Sequence, residues 1–317
     1  MAAGGRRRSW VRTLAPWLIG AAIVVVIATQ VPYARFRASL KQGPHLELAA
    51  FELLGACVVL LTDSFSTWVG LVALKIRWTL SRTAAVRGAT YLLVLINYAL
   101  GQGGFGYYLY RGGVSAQRAV GATLFLLGTT LASLLIMTFG VWIVADARSA
   151  NEQMWWTIAI AMAAFGVYLV IVASRLKFLA RREVLAPLFD AHLAGHALAI
   201  VGRLPHVIAI IFAHWGAMRM WGIPMPIEVG FTFFPAVVLA STLPISPAGL
   251  GTMQASIVFF FADYTPGATA DERTAALLAF GVVHFVYSVL CTALIGLACI
   301  PFAKRTGLLA TDEFKQS

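Results

Sequence analysis

Long apolar runs separated by short basic segments constrain this chain more than any other feature of its sequence. Residues 15–31, 119–145 and 155–173 contain no charged side chain, and a helix needs about 20 apolar residues to cross a bilayer. Charged residues make up only 12% of the chain, against about 25% in soluble domains. A soluble domain would expose this apolar surface to water, so the sequence predicts an all-α polytopic membrane protein.

Positive charge lies at the ends of the apolar runs. The chain has a net charge of +11, and its Lys and Arg residues cluster in segments 6–8, 75–87, 175–182 and 304–305. Such clusters are typical of the cytoplasmic loops of membrane proteins and attract anionic lipid headgroups. The charge therefore predicts topology and lipid contact, with both termini cytoplasmic, and no binding of nucleic acid.

Two stretches within apolar sequence are rich in residues that interrupt helices. Residues 97–108 and 239–254 each contain a Gly-x-Gly triplet, and the second stretch also contains Pro244 and Pro247. Proline removes a helical hydrogen bond, and nonhelical backbone at membrane depth must be buried in protein or line a wet cavity. Two broken segments in corresponding places of two halves indicate a transporter binding site.

The positions of the basic loops predict a specific topology. About six helices cross the membrane. Segments 89–118 and 229–262 form two opposed re-entrant helical hairpins, of which the first enters and leaves on the cytoplasmic face and the second enters and leaves on the outer face. This arrangement is an inverted repeat. The predicted boundaries are a basic cytoplasmic tail at residues 1–14, a single transmembrane domain at 15–303 with repeat halves at about 46–145 and 198–303, and a cytoplasmic tail at 304–317.

Residues 243–251 (LPISPAGLG), together with Asn97 and the glycine-rich sequence before Arg111, carry a family resemblance. At these positions the chain resembles the lysylphosphatidylglycerol synthase transmembrane family of flippase-like bacterial proteins, over about residues 15–303. The resemblance implies a multi-pass protein of the bacterial cytoplasmic (inner) membrane that moves or presents a lipid or a lipid-linked sugar. About a dozen residues follow the last apolar run, so we expect a stand-alone member without the soluble synthase domain.

The candidate lipid-headgroup site combines the broken segments with polar residues of a neighbouring span. Glycine-rich tips either present free backbone N–H groups to a phosphate or permit close helix packing. Asn97, Gln102 and Gln254 either bind a headgroup or cap broken helix ends. Arg203 and His206 lie one turn apart inside a span, where ionisable residues are functional candidates by default. The predicted headgroup-binding residues are Asn97, Gln102, Gly103, Gly104, Arg203, His206, Ser246, Gly249, Gly251 and Gln254.

Further ionisable residues are candidates for coupling or steering. Asp63 falls near mid-membrane, where a carboxylate either exchanges protons or pairs with an arginine such as Arg203. Arg111 and Arg118 flank the first broken segment and either steer an anionic headgroup or mark the inner leaflet. His214 lies on the same span as Arg203.

Residues 183–198 are predicted to form an interfacial amphipathic helix that carries Asp190, His192 and His196. Histidines at i and i+4 share a helix face, but no HExxH pattern and no further ligand at a recognisable spacing accompanies them. The sequence therefore predicts no metal and no other cofactor. The three cysteines are expected to be packing residues.

These patterns predict a flippase-like protein that binds and translocates an anionic phospholipid or a lipid-linked glycan, with the hairpins as alternating gates. The chain has no recognisable catalytic or ATP-binding motif and is not expected to be an enzyme. The alternative is a membrane-embedded accessory protein or transferase that presents a lipid-linked substrate to a partner enzyme. Chemistry would then need a general base or a metal, for which Asp190, His192 and His196 are the candidates.

Overall fold

The structure, a computed structural model, describes residues 25, 33–144, 152–242 and 251–308, and its regular structure there is entirely helical. A single turn of 3-10 helix at Ala262–Tyr264 adds to the α-helices. In chain order the helices are α1 (Tyr33–Gln42), α2 (His45–Ala73), α3 (Leu80–Val94), α4 (Tyr98–Arg111), α5 (Ala116–Val144), α6 (Glu152–Ser174), α7 (Lys177–Ala180), α8 (Ala186–Asp190), α9 (His192–Met220), α10 (Ile227–Thr242), α11 (Thr252–Phe261) and α12 (Ala270–Arg305).

Five of these helices, α2, α5, α6, α9 and α12, are long and apolar enough to cross a membrane. This confirms the prediction of an all-helical chain and indicates a multi-pass membrane protein. The first predicted span, residues 15–31, lies outside the described residues. The charged residues at the ends of α12 interact favourably with its helix dipole, since Asp271 and Glu272 lie in its first turn and Lys304 and Arg305 in its last.

The two helices α2 and α9, each of 29 residues, lie antiparallel to one another. Gly216 near the end of α9 faces Phe51 near the start of α2, and Gly202 faces Val69. A Cβ atom at Gly202 would lie only 2.5 Å from Val69 Cγ1, so the backbones approach very closely. Small residues at such contacts are a common basis of helix association in membranes, where the lipid tails are as apolar as the side chains.

The same turn follows both of these helices. A residue with positive φ, 58° at Lys75 and 84° at Gly222, precedes an isoleucine whose N–H closes a Schellman motif. These equivalent residues are 147 positions apart (222 − 75), as are the first residues of the two helices, His45 and His192. The matching bonds are Ile76 N to Leu71 O (2.8 Å), Ile223 N to Met218 O (3.0 Å), Trp68 Nε1 to Trp78 O (3.1 Å) and Trp215 Nε1 to Met225 O (3.1 Å).

Two pairs of short helices follow the two turns. α3 and α4, of 15 and 14 residues, pack against each other, and so do α10 and α11, of 16 and 10 residues. Each is shorter than the roughly 20 residues that a crossing requires. The chain reverses between α3 and α4 at residues 95–97, where Asn97 Oδ1 accepts a hydrogen bond from Ala99 N–H at 2.7 Å and begins α4. The connection between α10 and α11, residues 243–250, lies outside the described residues.

The break in the first pair precedes the glycine-rich sequence, whereas the sequence predicted the glycines themselves at the tip. Gly101 and Gly104 lie inside the regular helix α4. The physical reason is packing, because a Cβ atom at either position would lie 2.3 Å from a side-chain carbon of Val94 or Leu93 on α3. These two glycines therefore allow close approach of the two helices, the second of the two roles considered for them.

Residues 183–198 do not form the single interfacial helix that was predicted. They include the short helix α8 and the start of α9, separated at His192, whose φ of 53° is incompatible with a continuous helix. From His192 the helix continues to Met220, with Pro205 inside it. The polar residues at its start thus belong to a candidate span.

Helix α12 packs beside both short pairs. On its C-terminal half, Gly296 faces Leu92 of α3, and on its N-terminal half, Gly281 O accepts a hydrogen bond from Gln254 Nε2 of α11 at 3.2 Å. The two pairs come together between these points around a cavity of about 160 Å³. Its lining includes Val94, Leu95 and Tyr98 from the first pair, Ser241 and Met253 from the second, and Ser288 from α12.

The contact between α2 and α9 predicts a specific sensitivity to side-chain volume. We expect Gly202→Ala to lower the free energy of unfolding in detergent by about 1–3 kcal/mol, because the added methyl group overpacks against the stiff Val69 side chain. The matched control is Gly166→Ala on α6, where no described neighbour lies within 4 Å of the added carbon. There the substitution should stabilise the helix by about 0.5–1 kcal/mol. Equal effects of the two substitutions on thermal unfolding would contradict the close contact.

Candidate functional site: a buried charge cluster beside an apolar groove

Asp63 of α2 lies at the centre of a buried cluster of charged side chains. Its Oδ2 accepts hydrogen bonds from Arg87 Nε at 2.9 Å, from Arg87 Nη2 at 2.7 Å and from the Tyr91 hydroxyl at 3.2 Å. Its Oδ1 accepts a hydrogen bond from Arg203 Nη1 at 2.5 Å, and Arg203 Nε donates to Thr130 Oγ1 at 2.8 Å. The three charged side chains are each at most 5% exposed. One carboxylate therefore joins α2, α3 and α9 at the interior of the protein.

The cluster contains more positive than negative charge. Two guanidinium groups share one carboxylate, which leaves a formal charge of +1. Within the described part of the chain, no second carboxylate lies within 4.0 Å of either arginine. His206 Nε2 lies 3.9 Å from Asp63 Oδ1 and would add further positive charge if protonated. An uncompensated charge in a low-dielectric interior costs several kcal/mol, so this site favours the approach of an anion.

Gln102 of α4 lies between the cluster and an apolar groove. Its Oε1 accepts a long hydrogen bond from Arg87 Nη1 at 3.5 Å. Its Nε2 is buried and has no hydrogen-bond partner among the described residues. A buried amide without a partner costs about 1–3 kcal/mol, which a hydrogen bond to a ligand oxygen would recover.

The groove next to Gln102 has a volume of about 700 Å³ and extends along α4 and α5. Tyr98 and Tyr110 both line it, so it follows about 18 Å of α4 at 1.5 Å per residue. Gly103 lies in its wall, with no described neighbour within 4 Å of its missing Cβ, and Leu239 of α10 also lines it. The lining is almost entirely apolar, which suits an extended hydrocarbon chain.

The remaining predicted residues of the broken segments have local structural roles where the structure describes them. Asn97 caps α4, and Gln254 Oε1 accepts a hydrogen bond from Gly251 N–H at 2.6 Å at the start of α11. Gly251 has a φ of 86°, a conformation that glycine adopts without strain. Ser246 and Gly249 lie outside the described residues.

The arginines that flank the first short pair lie away from the cluster. Arg118 donates from Nη2 to Asp190 Oδ2 at 2.7 Å in an exposed ion pair near the start of α5. Arg111 lies in the last turn of α4. Lys75, Arg118 and His192 line a polar cavity of about 440 Å³ at the end of the molecule where α2 ends and α9 begins.

The predicted alternatives for a metal or a catalytic group do not converge in the structure. Asp190 contacts Arg118, and His192 Nε2 lies 3.2 Å from Arg175 Nη2. His196 Nε2 lies 2.6 Å from the Tyr168 hydroxyl. The described residues contain no group of three ligands that could hold a metal ion. His214 lies elsewhere, with its ring centroid 4.9 Å from that of His284.

Arg87 is a charged member of the cluster that the sequence did not predict as a site residue, because its segment, 75–87, was assigned to a basic cytoplasmic loop. In the structure it lies inside α3, where Thr83 and Tyr91, one turn before and one turn after it, are also buried. The spacing of these three residues places a polar stripe on one face of an otherwise apolar helix. That stripe is the signal that could have identified Arg87 as an interior residue.

No protein-family model matches the chain, and no curated protein sequence matches it.

The charge count of the cluster predicts how the protein responds to changes at Asp63. Asp63→Asn should lower the free energy of unfolding by about 3–5 kcal/mol, because it leaves two buried guanidinium groups without a carboxylate. Adding Arg87→Gln restores the original excess of one charge, so the double variant should be more stable than Asp63→Asn alone. Chemical unfolding in detergent provides the measurement.

The matched control is Asp190→Asn, which removes the carboxylate of the exposed pair with Arg118. Its expected cost is about 0–1 kcal/mol, as for other solvent-exposed ion pairs. A double variant at Asp63 and Arg87 that is no more stable than Asp63→Asn would show that excess charge does not determine the cost.

Proposed function

We propose that this protein is a flippase-like translocator of anionic lipids in the bacterial cytoplasmic membrane. The observation that supports this most directly is Gln102, whose unpartnered buried amide connects an excess positive charge to an apolar groove. An anionic phospholipid or lipid-linked glycan has the complementary pair of properties in one molecule. Its phosphate would approach Gln102 and Arg87, while a hydrocarbon chain occupies the groove along α4 and α5.

The proposed architecture is an inverted repeat with two opposed re-entrant hairpins. The antiparallel packing of α2 and α9 supports it, as does the recurrence of their first residues and C-terminal turns at a spacing of 147 (192 − 45). Helices that belong to equivalent halves and run in opposite directions are the basis of inverted-topology transporters. The pairs α3–α4 and α10–α11 would be the hairpins, since each follows one of the equivalent turns.

The contact between these pairs supports a gating role for them. Residues near both connections line one cavity beside α12, so separation of the pairs at that point would open a path between the two faces. The hairpins would then act as alternating gates on either side of the headgroup site. The small hydroxyl side chains of Ser241 and Ser288 in that cavity would offer hydrogen bonds to a passing headgroup.

The proposed orientation places the end of α2 and the start of α9 on the cytoplasmic side. The exposed side chains of Lys75, Arg118 and Arg175 lie at this end, in agreement with the excess of basic residues in cytoplasmic loops. Both chain termini would then be cytoplasmic. The proposal also retains membership of the lysylphosphatidylglycerol synthase transmembrane family, as a member without the soluble synthase domain.

Gln102→Glu provides a sharp test because it adds one negative charge where we propose that the lipid phosphate binds. The substitution should raise the thermal stability of the lipid-free protein, since the excess charge near Arg87 is neutralised. It should also slow the transbilayer movement of an anionic phospholipid in reconstituted liposomes by about tenfold or more, which corresponds to a barrier higher by at least about 1.4 kcal/mol. Fluorescently labelled phosphatidylglycerol, with phosphatidylcholine in parallel, would serve as the probe.

The matched control is Gln42→Glu at the exposed end of α1, which should change neither quantity. Normal lipid movement by the Gln102→Glu protein would contradict the assignment of the headgroup site. A folded wild-type protein that moves no lipid would overturn the translocator proposal and favour the accessory protein that presents a lipid-linked substrate.

A further inference from the structure

A second buried polar site lies at the contact of α2 and α12, separate from the Asp63 cluster. Glu52 Oε1 is in direct hydrogen-bond contact with His284 Nδ1, and the two side chains are at most 8% exposed. The His284 ring stacks on Phe280, with 5.2 Å between ring centroids. The site is surrounded by an apolar core that includes Leu48 and Phe280. A carboxyl group and an imidazole therefore share a hydrogen bond in apolar surroundings.

A second imidazole extends this site to α9. The His214 ring lies edge-on to His284, with 4.9 Å between centroids. His214 Nδ1 is 2.8 Å from Ile210 O, a contact in which the nitrogen must donate its proton. In a neutral ring His214 Nε2 then carries no proton and can accept one. The site thus combines one shared proton with a second acceptor at the meeting point of three long helices.

The charge of this site depends on how many protons it holds. With one proton shared by Glu52 and His284, the pair is formally neutral, either as two neutral groups or as an ion pair. Loss of that proton leaves a charge of −1, and gain of another gives +1. Either unit charge is costly in an apolar interior unless the surrounding helices move or water enters. A change in the number of protons would therefore favour a change in the packing of α2 against α12.

Other titratable groups also lie near the site. They include the Cys57 thiol of α2 and the Cys291 thiol of α12, which lie near one another, and Cys291 also lies near Glu52. At the start of α2, His45 contacts Leu40 O through Nε2 and the Tyr287 hydroxyl through Nδ1. From α10 the side chain next to His214 is that of Phe234, which does not titrate.

We propose that Glu52, His284 and His214 form a proton-binding site whose protonation drives lipid movement. Proton binding itself is independent of the translocator function proposed above, whereas its coupling to lipid movement depends on it. Helix α2 provides the physical connection because it carries both Glu52 and Asp63, 11 residues or about 16 Å apart. A shift of α2 against α12 on protonation would displace Asp63 and so change the charge cluster beside Gln102.

The first experiment detects the proton without any lipid. Infrared spectra of the purified full-length protein, recorded between about pH 5 and about pH 8 where histidine sites titrate, should show a carboxyl band, protonated or ionised, that changes with pH. The band should disappear in Glu52→Gln and shift in its pH dependence in His214→Asn. It should persist in Glu47→Gln, because Glu47 is exposed on the same helix. A wild-type protein with no pH-dependent carboxyl band would overturn the proposal, whether or not the variants fold.

The second experiment tests coupling in liposomes that contain labelled phosphatidylglycerol. A pH gradient imposed across the membrane should accelerate lipid movement by the wild type and by Glu47→Gln, and should have no effect on Glu52→Gln. If Glu52→Gln fails to fold, His284→Gln provides the same comparison. A full gradient response in a folded variant would overturn the coupling. A wild type that shows the infrared band but moves no lipid would instead count against the translocator function alone.

Discussion

The ion-pair cluster at Asp63 is the interaction on which the arrangement of the long helices depends. Arg87 and Arg203 come from segments more than 100 residues apart, yet both donate to one carboxylate in the interior. Removing charges from water is expensive, so the cluster is stable only while its hydrogen-bond geometry is maintained. It thereby fixes α3 against the antiparallel pair α2–α9, and the position of α3 in turn fixes α4 and Gln102.

The excess positive charge of this cluster favours the approach of an anion to the site. A neutral cluster would stabilise the protein without any ligand, whereas two arginines on one carboxylate leave a deficit that an anion can correct. Gln102 adds a missing hydrogen bond, because its buried side-chain N–H groups have no acceptor among the described residues. Both lie beside the same groove, so one bound phosphate would compensate both. Without a bound anion the site therefore carries an energetic cost that a neutral, fully hydrogen-bonded site would avoid.

The sequence predicted the elements whose signals are local. Apolar length alone predicted the long helices, and the ion pair between Asp63 and Arg203 was one of two alternatives considered for that carboxylate. The interiors of the short pairs were harder to predict, because the glycines that suggested a broken tip in fact allow α4 to pack closely on α3. The contact of Glu52 with His284 could not be predicted, since a single sequence does not show a neighbour more than 200 residues away. Such long-range pairs depend on tertiary packing and have no local pattern.

Helix α2 connects these features because it takes part in both buried polar sites. Glu52 contacts α12, and Asp63 contacts α3 and α9. The spacing of 11 residues corresponds to about three helical turns, so the two carboxyl groups lie near the same face of α2. A regular helix transmits displacement along its axis with little loss, whereas an apolar interior resists any change in net charge. A change of charge at Glu52 that moves α2 must therefore alter the hydrogen bonds of Asp63, which join the two halves of the chain.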